Sequence, residues 1–178
     1  MSSSPIRSFE QLHHHLAQLP SRCRVAVAHP ADAHTLQAVL NAVHLGFVEA
    51  FLVGEVHAPL LEKLSSETAA WVHHIPASDA GAAMQQAVQM VHDGEADALM
   101  KGLVNTDDLL RHVLNKTYGL RQEGAVISHV AAFHLPILER IVLMTDVAVI
   151  PTPSPEQRRA QLTYATALAH QLGIDTPR

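Results

Sequence analysis

Apolar residues at Phe9, Leu12, Leu16 and Leu19 recur at intervals of three and four, the spacing of one face of a helix. Ser8 is placed to cap that helix and Gln11, three residues on, to complete a capping box; Pro20 ends it. Beyond it, short apolar runs alternate with helical spacing. Residues 24–28 (RVAVA) read as a strand, followed by a helix on Leu36, Val39, Leu40 and Val43 that closes near Gly46. The unit repeats: a strand at 50–53, a weak helix around 60–64, and a strand at 71–75. Ser78 and Asp79 then cap an Ala/Met/Val helix that ends at Gly94, a fourth strand follows at 98–100, and a further helix is expected over 107–115, capped by Asn105 or Thr106.

Apolar strands alternating with amphipathic helices predict an α/β fold, a mostly parallel sheet flanked by helices on both faces through right-handed crossovers. Ligands of such sheets bind beyond the carboxyl ends of the strands, here the loops at 29–32, 54, 76–79 and 101–106. From residue 125 the rhythm changes. Two extended apolar stretches, 126–135 and 141–149, joined by a short link, predict an antiparallel pair. Ser154, Pro155 and Gln157 then open a helix that runs to about Leu172, closed by Gly173. The expected organisation is a helical extension (1–23), an α/β domain (24–146) and the start of a second domain (147–178), whose single helix is too little to bury a core of its own.

Composition narrows the function. With 48% hydrophobic and 16% charged residues, 8 Gly and 10 Pro in 178, the chain is neither disordered nor collagen-like. Twelve Lys+Arg against 17 Asp+Glu leave a net charge of -5, the wrong sign for gripping a phosphate backbone, and 4% aromatics offer little for base stacking; no nucleic-acid partner is expected. A single cysteine, Cys23, rules out an internal disulfide framework. The apolar runs are too short for a membrane span, and residues 1–20 lack a signal-peptide core, so a cytoplasmic location and no membrane partner are expected. Fourteen histidines raise metal binding, but consecutive His13, His14 and His15 splay around a helix, His73 and His74 point to opposite faces of a strand, and no HExxH or CxxC accompanies them. Surface or partner-satisfied histidines, and no metal, are the expectation.

Chemistry concentrates at Lys101, Gly102, Asn105 and Thr106, between the fourth strand and its helix. The first turn of that helix offers amide N–H groups and a positive dipole end to an anion, Gly102 would let a ligand approach the backbone, and Arg111 could grip a phosphate in a two-pronged contact. Equally, Asp107 and Asp108 already complement the dipole, and Arg111 can pair with Asp107 at i,i+4. Arg121 alone reads as a solvated loop arginine. Ser128 and His129, adjacent in an extended stretch, face opposite ways and cannot form a nucleophile–base dyad. Asp146, at a strand end, is open to reading as a base, a substrate contact or a cap for the next turn. Neither G-x-G-x-x-G after the first strand nor G-x-x-x-x-G-K-[ST] occurs, which removes the usual dinucleotide and P-loop signatures.

Read together, residues 96–102 (ADALMKG), Thr106-Asp107-x-x-x-Arg111, Gly119-Leu120-Arg121, Ile127-Ser128-His129-Val130 and Leu143-Met144-Thr145-Asp146 resemble the phosphate acetyl/butyryltransferases, as does VAVAHPAD at 25–32. The likeness covers about residues 24–173. The MKG and SHV pieces look more like the butyryl branch, and 148–157 more like the acetyl branch. The resemblance implies an isocitrate/isopropylmalate dehydrogenase-like N-terminal domain. It also implies a transferase moving an acyl group between coenzyme A and inorganic phosphate, with acyl-CoA and phosphate or acyl phosphate as partners, no tightly bound cofactor, and a homo-oligomer. Arg111 and Arg121 match the family's phosphate-side arginines, and the 101–106 loop matches part of its cleft. The candidate substrate- and phosphate-binding residues are therefore Lys101, Gly102, Asn105, Thr106, Arg111, Arg121, Ser128 and Asp146. The family usually has Asn where this chain has Ile150. Its proposed base, an Asp, and a companion Ser-Arg pair lie in its C-terminal half. No residue here is assigned those roles, and the chain is expected to be an N-terminal portion with half the cleft, inactive alone. The alternative is a non-catalytic CoA- or phosphate-binding module, or an assembly module.

Overall fold

The computed structural model describes residues 5–178. It resolves into two compact units, Leu16–Arg121 and Gln122–Arg178, the latter with the described residues up to His15; α1 (Phe9–Ala17) crosses the division. The Ser8 hydroxyl accepts the Gln11 N–H at 3.2 Å as expected. The Gln11 side chain, however, accepts from the Arg7 N–H at 2.8 Å, one residue short of the position a capping box needs.

The first unit runs β1 (Cys23–Ala28), α2 (Ala33–His44), β2 (Val48–Val53), α3 (Ala58–Leu61), α4 (Ser66–Ala69), β3 (Val72–Ile75), α5 (Ala80–His92), β4 (Ala98–Lys101) and α6 (Thr106–Val113). All four strands are parallel, in the order β3-β2-β1-β4. The two-residue period of β1 and β2 divides the core. Ala26, Ala28 and Val53 pack under α5 with Ala83, Ala87 and Val88, while Val27, Ala50 and Leu52 pack under α2 with Leu36, Val39 and Val43. Burying each Leu or Val contributes about 1.5–3 kcal/mol, so both faces are held by apolar burial. The weak helix expected around 60–64 is instead two single turns, because the Ser65 hydroxyl caps a fresh start at Ser66 by accepting the Thr68 N–H at 3.2 Å.

Several histidines are partnered. His73 Nε2 lies 2.8 Å from Glu49 and the ring stacks on Phe51, His74 Nε2 meets the Gly54 carbonyl at 2.8 Å, and His112 meets the Tyr118 hydroxyl at 2.9 Å. Among the described residues no three His, Cys, Asp or Glu side chains converge as metal ligands, and no helix is long and apolar enough to cross a membrane.

In the other unit β5 (Ala131–Leu135) pairs antiparallel with β6 (Arg140–Met144), Phe133 opposite Val142. Both strands are shorter than their apolar sequence predicts. The Asp146 carboxylate takes the N–H groups of His129, Ala148 and Val149, which a longer ladder would have needed. α7 (Pro155–Gln171) opens with the expected capping box of Ser154 and Gln157.

Candidate functional site

The strand order places β2 and β3 on one side of β1 and β4 on the other, so the winding reverses between β1 and β4. The crevice beyond the carboxyl ends of that pair is where such sheets bind ligands. Two loops meet there. The Gly102 N–H donates to the Ala28 carbonyl at 3.0 Å and the Leu103 N–H to the His29 carbonyl at 2.9 Å. His29 adopts the left-handed conformation (φ 59°), uncommon for a residue with a Cβ. A Cβ on Gly102 would lie 2.4 Å from the His29 carbonyl oxygen and 2.5 Å from that of Ala28. Gly102 thus admits the chain's own β1 backbone at the place where the sequence predicts room for a ligand. Next to this seam an open pocket of about 300 Å³ is lined by His29, Gly54, His74, Ser78 and Asp79.

Three longer helices start at this edge of the sheet. Asp32 caps α2 through the Thr35 N–H at 2.8 Å, and Asp79 caps α5 through the Ala82 N–H at 2.9 Å. These hydrogen bonds hold both carboxyls below their ordinary range; for Asp32 they come from Thr35, for Asp79 from the Ala82 N–H and then the Ser78 hydroxyl. α6 differs in having a neutral cap. Asn105 Oδ1 accepts the Asp107 N–H at 2.8 Å, and the helix runs from Thr106 to Val113 where 107–115 was expected.

Lys101 and Arg111 are each engaged within the chain. The Lys101 ammonium folds over its own loop, donating to the Val104 carbonyl at 3.0 Å. Arg111 pairs with Asp108, one turn back at i,i+3; the expected i,i+4 pairing with Asp107 is not the one made. That side chain is 77% exposed, so the pair is screened and readily opened by a competing anion. Arg121 is exposed and makes no hydrogen bond or ion pair with a described residue. Its position is set by its neighbours: the Leu120 N–H donates to the Val113 carbonyl at 2.8 Å, and the His92 ring reaches the Gly119 carbonyl at 3.0 Å.

Ser128 and Asp146 belong to the other unit and meet there. The Ser128 hydroxyl donates to Asp146 Oδ2 at 2.8 Å and the His129 N–H to the same oxygen at 3.0 Å. The N–H groups of Ala148 and Val149 donate to Oδ1 at 2.9 and 2.8 Å. Burial pushes the Asp146 carboxyl up, but these four donors outweigh it and hold the group well below the usual carboxylate range. A carboxylate so saturated is a weak general base and a strong turn cap. Ser128 stands in irregular chain ahead of β5, not inside a strand. The candidates thus divide between the units, Lys101 to Arg121 in one and Ser128 with Asp146, hydrogen-bonded together, in the other.

Sequence reasoning missed His29 and Gln161. Nothing local marks the positive φ of His29. Gln161 is 4% exposed while its neighbour Leu162 is 64% exposed, and stepping back from Leu172 through Ala169 and Ala165 by helical intervals does land on it.

Residues 77–178 match the family described as phosphate acetyl/butaryl transferase. The chain is 35% identical over 175 residues to the phosphate butyryltransferase of Clostridium beijerinckii, covering 97% of this chain and 57% of that protein. It is 39% identical over 155 residues to the probable phosphate butyryltransferase of Bacillus subtilis (86% and 51%) and 30% identical over 161 residues to the phosphate acetyltransferase of Thermotoga maritima (87% and 52%). A branched-chain phosphotransacylase from Enterococcus faecalis V583 superposes with a TM-score of 0.70 at 27% identity, over 87% of this chain and 54% of that one. The chain spans about half the length of the curated relatives it matches.

Proposed function

The chain belongs to the phosphate acetyl/butyryl transferase family, and from that premise we propose that it contributes the phosphate-side part of an acyl-transfer site, acting on acyl-CoA and inorganic phosphate. The observation that carries this reading is the crossing at the β1/β4 switch point, which sets Lys101, Asn105, Thr106 and the neutral-capped start of α6 at one edge of the sheet. Lys101 supplies a point charge and Arg111, released from Asp108, a planar guanidinium for phosphate oxygens. Arg121 follows a backbone anchored to α6 and α5, so its reach starts from a fixed point. Their task is to hold the phosphate end of an acyl phosphate and to offset charge that develops as the thiolate of coenzyme A attacks the carbonyl. The higher identities to butyryl-type relatives favour an acyl chain longer than acetyl.

The base that would ionise the CoA thiol is not assigned within residues 1–178. Asp146 does not fill that role, because its lone pairs are engaged by four donors. The chain on its own is therefore expected to bind phosphate and CoA without forming acyl-CoA from acyl phosphate. Turnover by the isolated polypeptide in a thiol-release assay would overturn this. Residues 147–178 as the opening of a second domain, assembly into a homo-oligomer and a cytoplasmic setting belong to the same reading.

Calorimetry tests the phosphate side. Arg111→Ala is expected to weaken phosphate binding about tenfold, the value of one charge-assisted contact. Asp108→Asn acts in the opposite direction: it frees the guanidinium and removes a like charge, and should tighten binding roughly twofold to fivefold, the range of an exposed ion pair. Unchanged affinity in both variants would remove Arg111 from the site.

A further inference from the structure

We infer that a separate pocket, between the end of β6 and the first turns of α7, binds a small aliphatic carboxylate. It lies wholly in the unit of Gln122–Arg178 and does not depend on the reading of the Lys101 loop. Its open volume is about 350 Å³, at the small end of ligand pockets.

Two polar groups in its lining are without partners. Gln161 is 4% exposed, and its amide nitrogen is fully covered and makes no hydrogen bond with any described residue. The Thr145 hydroxyl, from the strand end opposite, is in the same condition. One buried, unsatisfied donor costs about 1–3 kcal/mol, and two lining one pocket suit it to a hydrogen-bonding occupant. A glutamine on the inward row of α7, with half-buried Ala165 one turn on and buried Ala169 two turns on, serves packing poorly and acceptor recognition well.

The charge around these donors selects the occupant. Arg158, one turn before Gln161, lines the pocket and makes no ion pair with a described residue. Asp146 also lines it as an ionised carboxylate, but its oxygens are engaged by the Ser128 hydroxyl and the three backbone N–H groups, so it has little to offer a ligand donor. An amide and a hydroxyl that can donate, beside a guanidinium, favour an anion. The remaining wall is apolar, from Ile150, Pro151, Pro153 and Leu162, and suits a short hydrocarbon tail better than a bare inorganic anion. A carboxylate on a short aliphatic chain satisfies both halves.

Titration of the full chain with sodium pentanoate, followed by calorimetry and amide NMR shifts, tests the assignment, with 1-pentanol and inorganic phosphate as comparisons. Saturable pentanoate binding with Kd on the order of 1 mM is expected for an acid of this size, with shifts centred on residues 145–162. Gln161→Leu and Arg158→Gln should each weaken it at least about tenfold. Gln161→Leu should melt no lower than the parent, because the covered amide is removed with its cost. Absence of pentanoate binding, equal affinity for 1-pentanol, phosphate shifting these residues where pentanoate does not, or both variants binding pentanoate unchanged would each overturn the proposal.

Discussion

Gly102→Ala is expected to cost about 3 kcal/mol, the upper end of ordinary overpacking, and to lower the melting temperature by roughly 10 °C. The new methyl group would sit 2.4 and 2.5 Å from the carbonyl oxygens of His29 and Ala28, closer than any real contact. Those oxygens cannot swing aside as a flexible side chain would. Each accepts a hydrogen bond that stitches β4 to β1, from Leu103 and Gly102, so relief requires β1 and β4 to part at their carboxyl ends. Circular dichroism melts in the absence of any ligand make the measurement. A drop of less than about 2 °C would mean that the seam yields freely and that Gly102 is there for a ligand after all.

Removing the Asp146 carboxylate should be of comparable size. Asp146→Ala strands the Ser128 hydroxyl and the N–H groups of His129, Ala148 and Val149 together. A hydrogen bond to a charged acceptor contributes about 1.5–3 kcal/mol, but the four share one carboxylate and water reaches part of the turn, so a total near 3 kcal/mol is expected. Asp146→Asn should lose about half as much: one oxygen still serves Ala148 and Val149, while the amide NH2 is set against the His129 N–H, donor to donor. The pH dependence follows from the depressed folded-state pKa. The unfolded carboxyl titrates near 3.9, so the contribution is complete above that value and is lost as pH falls through the acid range toward the lower folded value. Denaturant melts between pH 7 and pH 3 should therefore show the gap between the parent and Asp146→Ala narrowing by about 1 kcal/mol, without closing. A difference that stays constant or grows on acidification would disprove the carboxylate's role as the clasp.

Much of the fold was legible because its signals are local and redundant. The strand at 24–28 and the helix after Asp32 each follow from a few residues whose periodicity and capping agree. The anchor of α7 was equally plain, since Ser154, Pro155 and Gln157 carry their own geometry. Prediction failed where a side chain outbid the backbone pattern. The apolar run 126–135 shortens to Ala131–Leu135 because Asp146, distant in sequence, claims the His129 N–H. At the candidate site the same limit holds: Lys101 and Arg111 are visible as cations in the sequence, but their engagement with Val104 and Asp108 is not.

Alternating apolar periods and caps were enough to determine the α/β class and the parallel pairing, because each element carries its own period and caps and a strand–helix–strand crossover leaves parallel pairing as the natural outcome. Tertiary structure decided the rest: that Gly102 lies against the carbonyls of Ala28 and His29, and that Asp146 clasps Ser128 and His129. Each of those is a meeting between segments remote in sequence, governed by which donor, acceptor or surface arrives opposite it, and no local pattern encodes that partner.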